Sequence, residues 1–382
     1  MIELTITPVV SPWSLAALEL SLDVLFQVSP LRRAAHTLPS QPRMVLSQQV
    51  LMPRPLALLM VGALLLFYLD GFVLGASLLQ LLAFLLLALP VLAGIVHHAD
   101  HGPAGDLHPR PVLLAASGAL VVVALSRGAL VAGVLAAALV GCAGAFLERL
   151  SRGRGPWRDG AAPLYCGAFA GMTSDLVLRH PAWVLLAGAL AGLLLALLGN
   201  SWRGIGGKLG STAFLGVAAA CLVAGAFGAL GSGASLHAFS AQERVLLLGF
   251  AMLSPVLTHA LSYRCGVGVV LGSALPSLVV ALLAPLPLAA VWFGASFVGM
   301  TAPDRLASHP SRSLLAMGLL FGLFILGFEP RLAGIGGDLG ATAAVSVFAV
   351  LGAQSLLYRL VPGATQSEGA TKMARRSKEA LR

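Results

Sequence analysis

Apolar runs too long for a soluble core dominate this chain. From Pro55 to Val96 the only charged residue is Asp70, and further runs follow near 111–126, 128–147, 162–177, 182–199, 210–229, 243–262, 265–284, 287–300, 312–328 and 339–359. A helix needs roughly 20 apolar residues to cross a bilayer. Inside the bilayer only helices and closed barrels satisfy every backbone hydrogen bond. Of the 382 residues, 58% are hydrophobic and 10% charged, whereas soluble domains carry roughly 25% charged residues. The pattern predicts an all-α polytopic membrane protein.

Within these runs the chain repeats itself. Gly204 to Ala213 reads GIGGKLGSTA, and Gly334 to Ala343 reads GIGGDLGATA, with Lys208 and Asp338 at equivalent positions 130 residues apart. YCGAFAGMT at 165–173 is answered by FGASFVGMT at 293–301, and His180-Pro181 by His309-Pro310. LSRG at 125–128 and LSYRCG at 261–266 extend the match weakly. Three unusual strings in one order and at one spacing do not arise from shared leucine and alanine content. They imply two homologous five-element halves, a transmembrane repeat at 111–229 and another at 243–360. Before them come an N-terminal segment (1–54) and a transmembrane hairpin with a His-rich loop (55–110), turning at Asp70-Gly71. A basic polar tail (361–382) follows.

If all five elements of each half cross, the halves are inverted in the membrane. If 162–177 and 287–300 re-enter instead, the halves run parallel. Five crossings place Arg203, Lys208, Arg264, Arg305 and Arg312 on one face and Arg179, Arg244 and Arg331 on the other. Cytoplasmic loops carry the excess of Lys and Arg, so inverted repeats with broken or re-entrant helices are the expected plan. Both termini are then cytoplasmic, in a bacterial inner membrane.

The net charge of +9 fits this topology and not a nucleic-acid partner. The basic residues cluster beside apolar segments: Arg32, Arg33, Arg43 and Arg54; Arg149, Arg152, Arg154 and Arg158; Lys372, Arg375, Arg376, Lys378 and Arg382. Four single cysteines show no pairing pattern and read as small buried side chains. The N-terminus lacks the basic start and cleavage site of a signal peptide. Trp13, Leu18, Leu22, Leu25 and Phe26 share one helical face there, so it reads as an amphipathic helix on the membrane surface or packed on the bundle.

The glycine strings are the natural places for helices to break, since glycine admits backbone conformations closed to other residues. Gly206, Gly207, Gly336 and Gly337 would form the breaks. Ser211 and Thr212, with Thr342 in the second copy, would cap the helices that follow. Lys208 and Asp338 would meet as a buried pair near a pseudo-twofold centre, since an ionisable residue inside a membrane marks function by default; the alternative is that each anchors a helix end at opposite faces. Thr173 and Thr301, with Ser174 and Ser296, would line a pathway, and Phe169 and Phe297 would form its apolar constriction; plain packing of small residues is the competing reading. His97, His98, Asp100, His101, Asp106 and His108 read as a solvated loop rather than a metal site. His259 is either a packing residue or a proton relay.

No P-loop, HExxH, GxSxG or carboxylate cluster is present, so no catalytic residues, metal or cofactor are expected. The five-plus-five layout is similar in plan to that of channel-like permeases, including urea transporters, without their characteristic strings. The expectation is a permease or transporter for a small solute or ion moving between the halves, with the lipid bilayer as its other partner and a homo-oligomer open. A membrane-embedded enzyme acting on lipid or isoprenoid, or a non-transporting subunit, is the alternative.

Overall fold

The computed structural model describes residues 78–98, 108–129, 131–151, 155–231, 239–306, 309–332 and 334–360. The Asp70-Gly71 turn, the N-terminal amphipathic segment, most of the His-rich loop and the tail lie outside them. Among the described residues eleven α-helices follow one another: α1 Leu78–His98, α2 Pro109–Val123, α3 Gly133–Leu150, α4 Ala161–Gly171, α5 Pro181–Leu198, α6 Lys208–Ala226, α7 Ala241–His259, α8 Val269–Leu283, α9 Leu286–Gly299, α10 Pro310–Leu332 and α11 Asp338–Leu360. Seven helical stretches are long and apolar enough to cross a membrane. The protein is an all-helical membrane protein.

Local sequence explains where the helices stop and start. His108 and His180 each precede a proline, and each accepts the backbone N–H two residues on through its ring Nδ1. Proline is tolerated in the first turn because its missing N–H would be unpaired there anyway. Ser240 and Glu243 form a reciprocal capping box at the start of α7. Both α2 and α7 end in a five-residue π turn, Ala124–Gly128 and Ala260–Arg264.

The third element of each half is a short helix. The run at 162–177 is helical only from Ala161 to Gly171, and the one at 287–300 from Leu286 to Gly299. At 1.5 Å per residue these helices span about 16 and 21 Å, well short of a hydrocarbon core of about 30 Å. Each nevertheless runs alongside its half's first helix in the same direction. Gly118 of α2 lies on Leu164 and Gly171 on Ala119 and Val122; in the second half Ser254 bonds Trp292, and Gly299 lies on Pro255 and Thr258. The fourth helix returns antiparallel, with Gly192 against Val112 and Gly188 against Ala116 in one half, and Gly322 against Leu248 and Gly318 against Met252 in the other. The residues after each short helix carry the chain on to the start of that returning helix.

The packing is that of a bundle in lipid. The interior is lined by small residues such as Ala115, Ala119, Ala136, Ala137, Ala187 and Ala191, all fully buried, which let backbones approach closely. Large side chains face outward: Leu283 is 82% exposed and Val245 72%. A belt of that kind would be an aggregation patch in water, and is the expected surface against acyl chains. One end of the bundle gathers Arg110, Arg149, Arg203, Arg264 and Arg305, tied by Arg149 donating to the Gly266 carbonyl, Arg110 to Arg158 and Arg305 to Arg203. The other end holds Arg127 and Arg179, joined through the Arg179 carbonyl, and Arg244 at the start of α7.

Candidate functional site

The two glycine strings end in left-handed glycines, Gly207 at φ 83° and Gly337 at φ 89°. These residues, not the hydroxyls beyond them, cap the helices. The expectation that Ser211, Thr212 and Thr342 act as N-caps is therefore corrected: α6 begins at Lys208 and α11 at Asp338. All three lie inside the first turns, where each hydroxyl donates back to the carbonyl four residues earlier: Ser211 to Gly207, Thr212 to Lys208 and Thr342 to Asp338.

Just inside those starts the two helices cross. A Cβ on either Gly210 or Gly340 would collide with the other's backbone. Gly207 lies against Gly340 and Ala344, and Gly337 against Gly210 and Phe214. The contacts run in opposite numerical order, so α6 and α11 cross antiparallel, and only glycine permits so close an approach.

Each turn is also fastened to the short helix of the opposite half. The Gly206 N–H donates to Thr301 Oγ1 at 3.2 Å, and the Gly336 N–H to Thr173 Oγ1 at 3.1 Å. Each threonine hydroxyl in turn donates to its own helix, Thr301 to the Val298 carbonyl and Thr173 to the Ala170 carbonyl, both at 2.7 Å. Next to them the Ala302 N–H donates to Gly204 and the Ser174 N–H to Gly334, both at 2.9 Å. Thr173 and Thr301 are buried. Their hydroxyls tie each glycine turn to the short helix of the other half.

The carbonyls released at the ends of the short helices are held by side chains from the π turns. Arg127 donates to the carbonyls of Thr173, Leu178 and Arg179. In the other half the His259 ring bonds the Thr301 carbonyl at 3.1 Å and Tyr263 donates to Met300 at 2.8 Å. A cation or donor there answers the negative end of the helix dipole. Sequence reading missed Arg127 and Tyr263, because residues of different chemistry fill the same role. The weak LSRG and LSYR match was the one available signal. His259 is a capping residue, its ring tilted against Tyr263 with centroids 4.8 Å apart.

Between the short helices lies a cluster of four rings. Phe169 and Phe297 are 4.7 Å apart, Tyr165 and Phe293 6.1 Å, and Phe169 and Phe293 5.7 Å between centroids. All four are fully or almost fully buried. The centre is aromatic and closed.

The expected Lys208–Asp338 pair is not formed. Lys208, half-buried, donates from Nζ to the Gly199 carbonyl at 2.7 Å, and Asp338 Oδ1 accepts the Leu339 N–H. The reason is the antiparallel crossing: each residue sits two positions before its crossing glycine, so the two charges fall on opposite sides of the contact. On the surface Arg158 pairs with Asp159. The Ser174 hydroxyl donates to Asp175 in an exposed contact. Ser296 is buried, and bonds Ser273 and Phe293. In the His-rich region His98 bonds Ser355 of α11 and His108 caps α2; Asp100, His101 and Asp106 lie outside the described residues.

Comparison with protein-family models, with curated proteins and with solved structures gives no match.

Proposed function

We propose that the chain is a pair of inverted five-element repeats, with the third element of each broken, and that it works as a permease for a small solute between the halves. One observation carries this reading: the reciprocal fastening of each half's glycine turn to the other half's short helix, through Gly206–Thr301 and Gly336–Thr173. Interrupted helices crossing about a twofold centre are the arrangement from which alternating access is built. Irregular backbone at membrane depth is tolerated only where protein or a cavity shields it. Five passes per half also gather Arg110, Arg149, Arg203, Arg264 and Arg305 at one end, which the positive-inside rule makes cytoplasmic. Phe169 and Phe297 are then the closed gate.

A second reading, a non-transporting membrane subunit, is favoured by the same closed aromatic centre. Flux through proteoliposomes separates the two. Replacing Phe169 and Phe297 together by alanine removes two rings from the constriction and should give a leak well above that of protein-free vesicles. If neither this variant nor the unaltered protein passes any solute faster than protein-free vesicles, the permease reading fails and the subunit reading stands.

A further inference from the structure

One part of the core is polar in a way that the first half does not share. On α7 and the π turn that ends it, Ser254, Thr258 and Ser262 stand about one helical turn apart on the face toward α8 and α9. Ser254 bonds the Trp292 carbonyl of α9, Thr258 packs at Gly299 of α9, and the Ser262 hydroxyl lies over Gly272 of α8. α8 adds Ser273 and Ser277, and α9 adds Ser296. All six are buried. When the π turns Ala124–Gly128 and Ala260–Arg264 are superposed in register, Ser254 and Thr258 stand where the first half has Gly118 and Val122. The starts of α3 and α8 likewise match Ser273 and Ser277 with Ala137 and Gly141. Ser296 answers to Ala168, and only Ser126 keeps a hydroxyl, opposite Ser262.

The bonds within this seam are directed. Ser296 gives its single O–H to the Phe293 carbonyl at 2.6 Å, so in its 2.7 Å contact with Ser273 it accepts. Ser273 then accepts from Tyr165 at 3.2 Å. The chain Tyr165→Ser273→Ser296→Phe293 leaves the Tyr165 oxygen able to accept a further bond beside the Phe169 and Phe297 rings. Two other hydroxyls in the seam, Thr258 Oγ1 and Ser262 Oγ, are buried with no hydrogen-bond partner among the described residues. Thr258 is fully buried and Ser262 is 5% exposed. A serine or threonine in a membrane helix readily returns its hydroxyl to the carbonyl four residues back; these two do not. Unpaired hydroxyls in an apolar interior are costly unless a partner supplies the missing bonds.

The geometry points to a binding site on the α7–α8–α9 seam, confined to the second half, for a small uncharged molecule that both donates and accepts hydrogen bonds. The seam offers hydroxyls of both polarities and no charged side chain. An ion would exchange its hydration for hydroxyl dipoles alone, whereas a neutral donor–acceptor molecule needs only a few bonds remade. This inference rests on the permease reading for its consequence, selectivity for neutral solutes, though not for the site itself. Water and a small transported solute share the chemistry.

The test uses Thr258→Val and Ser262→Ala in the full chain, with Val122→Thr at the matching place in the first half as control. Thermal unfolding in detergent reads the site without reference to transport. If the hydroxyls serve a ligand, then with glycerol or formamide added to the detergent sample both variants lower Tm. If the seam is dry, deleting an unpaired hydroxyl relieves its desolvation cost and Tm rises, which overturns the proposal. In proteoliposomes, osmotic shrinkage reads water, and swelling in glycerol or formamide reads solute. The expected result is a loss of at least about tenfold in glycerol or formamide uptake in both variants, equivalent to about 1.4 kcal/mol, with the Val122→Thr control unchanged and sodium and chloride excluded throughout. A fall confined to osmotic shrinkage assigns the site to water. A lowered Tm with no flux of any probe through the unaltered protein keeps the site and removes the permease reading. Flux that persists while both variants raise Tm does the reverse.

Discussion

Replacing Thr301 by valine keeps the shape of the side chain and deletes its hydroxyl, which holds the two halves together at one point. The hydroxyl accepts the Gly206 N–H at 3.2 Å and donates to the Val298 carbonyl at 2.7 Å. The carbonyl keeps a second partner, the Thr301 N–H, so its loss is small. Gly206 is buried, and its N–H is left with nothing to bond. An orphaned buried donor costs about 1–3 kcal/mol, while side-chain hydrogen bonds in membrane bundles average about 0.6 and reach about 1.7 kcal/mol. Together these put Thr301→Val at about 1–2 kcal/mol. Such a loss accelerates exchange of the Gly206 amide roughly 5- to 30-fold, measurable by hydrogen–deuterium exchange at single-amide resolution. The mirror change, Thr173→Val, should act on the Gly336 amide and leave Gly206 alone, and Thr301→Ser should restore protection. If Gly206 exchange is unchanged in a folded Thr301→Val protein, the fastening does not exist. If both amides respond equally to both variants, the effect is global and the pairwise argument fails.

The crossing of α6 and α11 admits no side chain at Gly340. Gly340→Val should cost more than about 3 kcal/mol through overlap with Gly210, seen as loss of the monodisperse folded species or a sharp fall in Tm. At φ 89°, Gly337→Ala should cost about 1–2 kcal/mol from backbone strain alone, read from the same melting curves. The charges of Lys208 and Asp338 act separately, so the exchange Lys208→Asp with Asp338→Lys should transport no better than the worse single variant; mutual rescue would show that the two meet in another state.

Helix boundaries were legible because their causes are local. Gly-rich strings mark breaks through backbone chemistry within a few residues, and apolar runs mark the spans; the caps at the His-Pro pairs and at Ser240–Glu243 are as local, but show as caps only in the structure. The short third elements were harder. The run at 162–177 is apolar only as far as Met172 and resumes after Thr173, Ser174 and Asp175; its helix ends at Gly171, where Arg127, 46 to 52 residues away, holds the carbonyls that follow. Composition carries no record of that partner. The hydroxyls of the second half were equally opaque: each serine reads as a small residue until α7, α8 and α9 are brought together.

By itself, the sequence determined that this is a helical membrane protein, roughly where its helices lie, and which strings occur twice. Hydropathy and glycine conformation are properties of a residue and its neighbours, and they survive without a fold. The tertiary structure decided what those strings do. Gly206 meets Thr301 across 95 residues and Gly336 meets Thr173 across 163. The same antiparallel packing at Gly210 and Gly340 that makes these contacts possible holds Lys208 and Asp338 apart. Opposite charges at equivalent positions suggested attraction; the direction of two crossing helices, which no local pattern encodes, settled their separation.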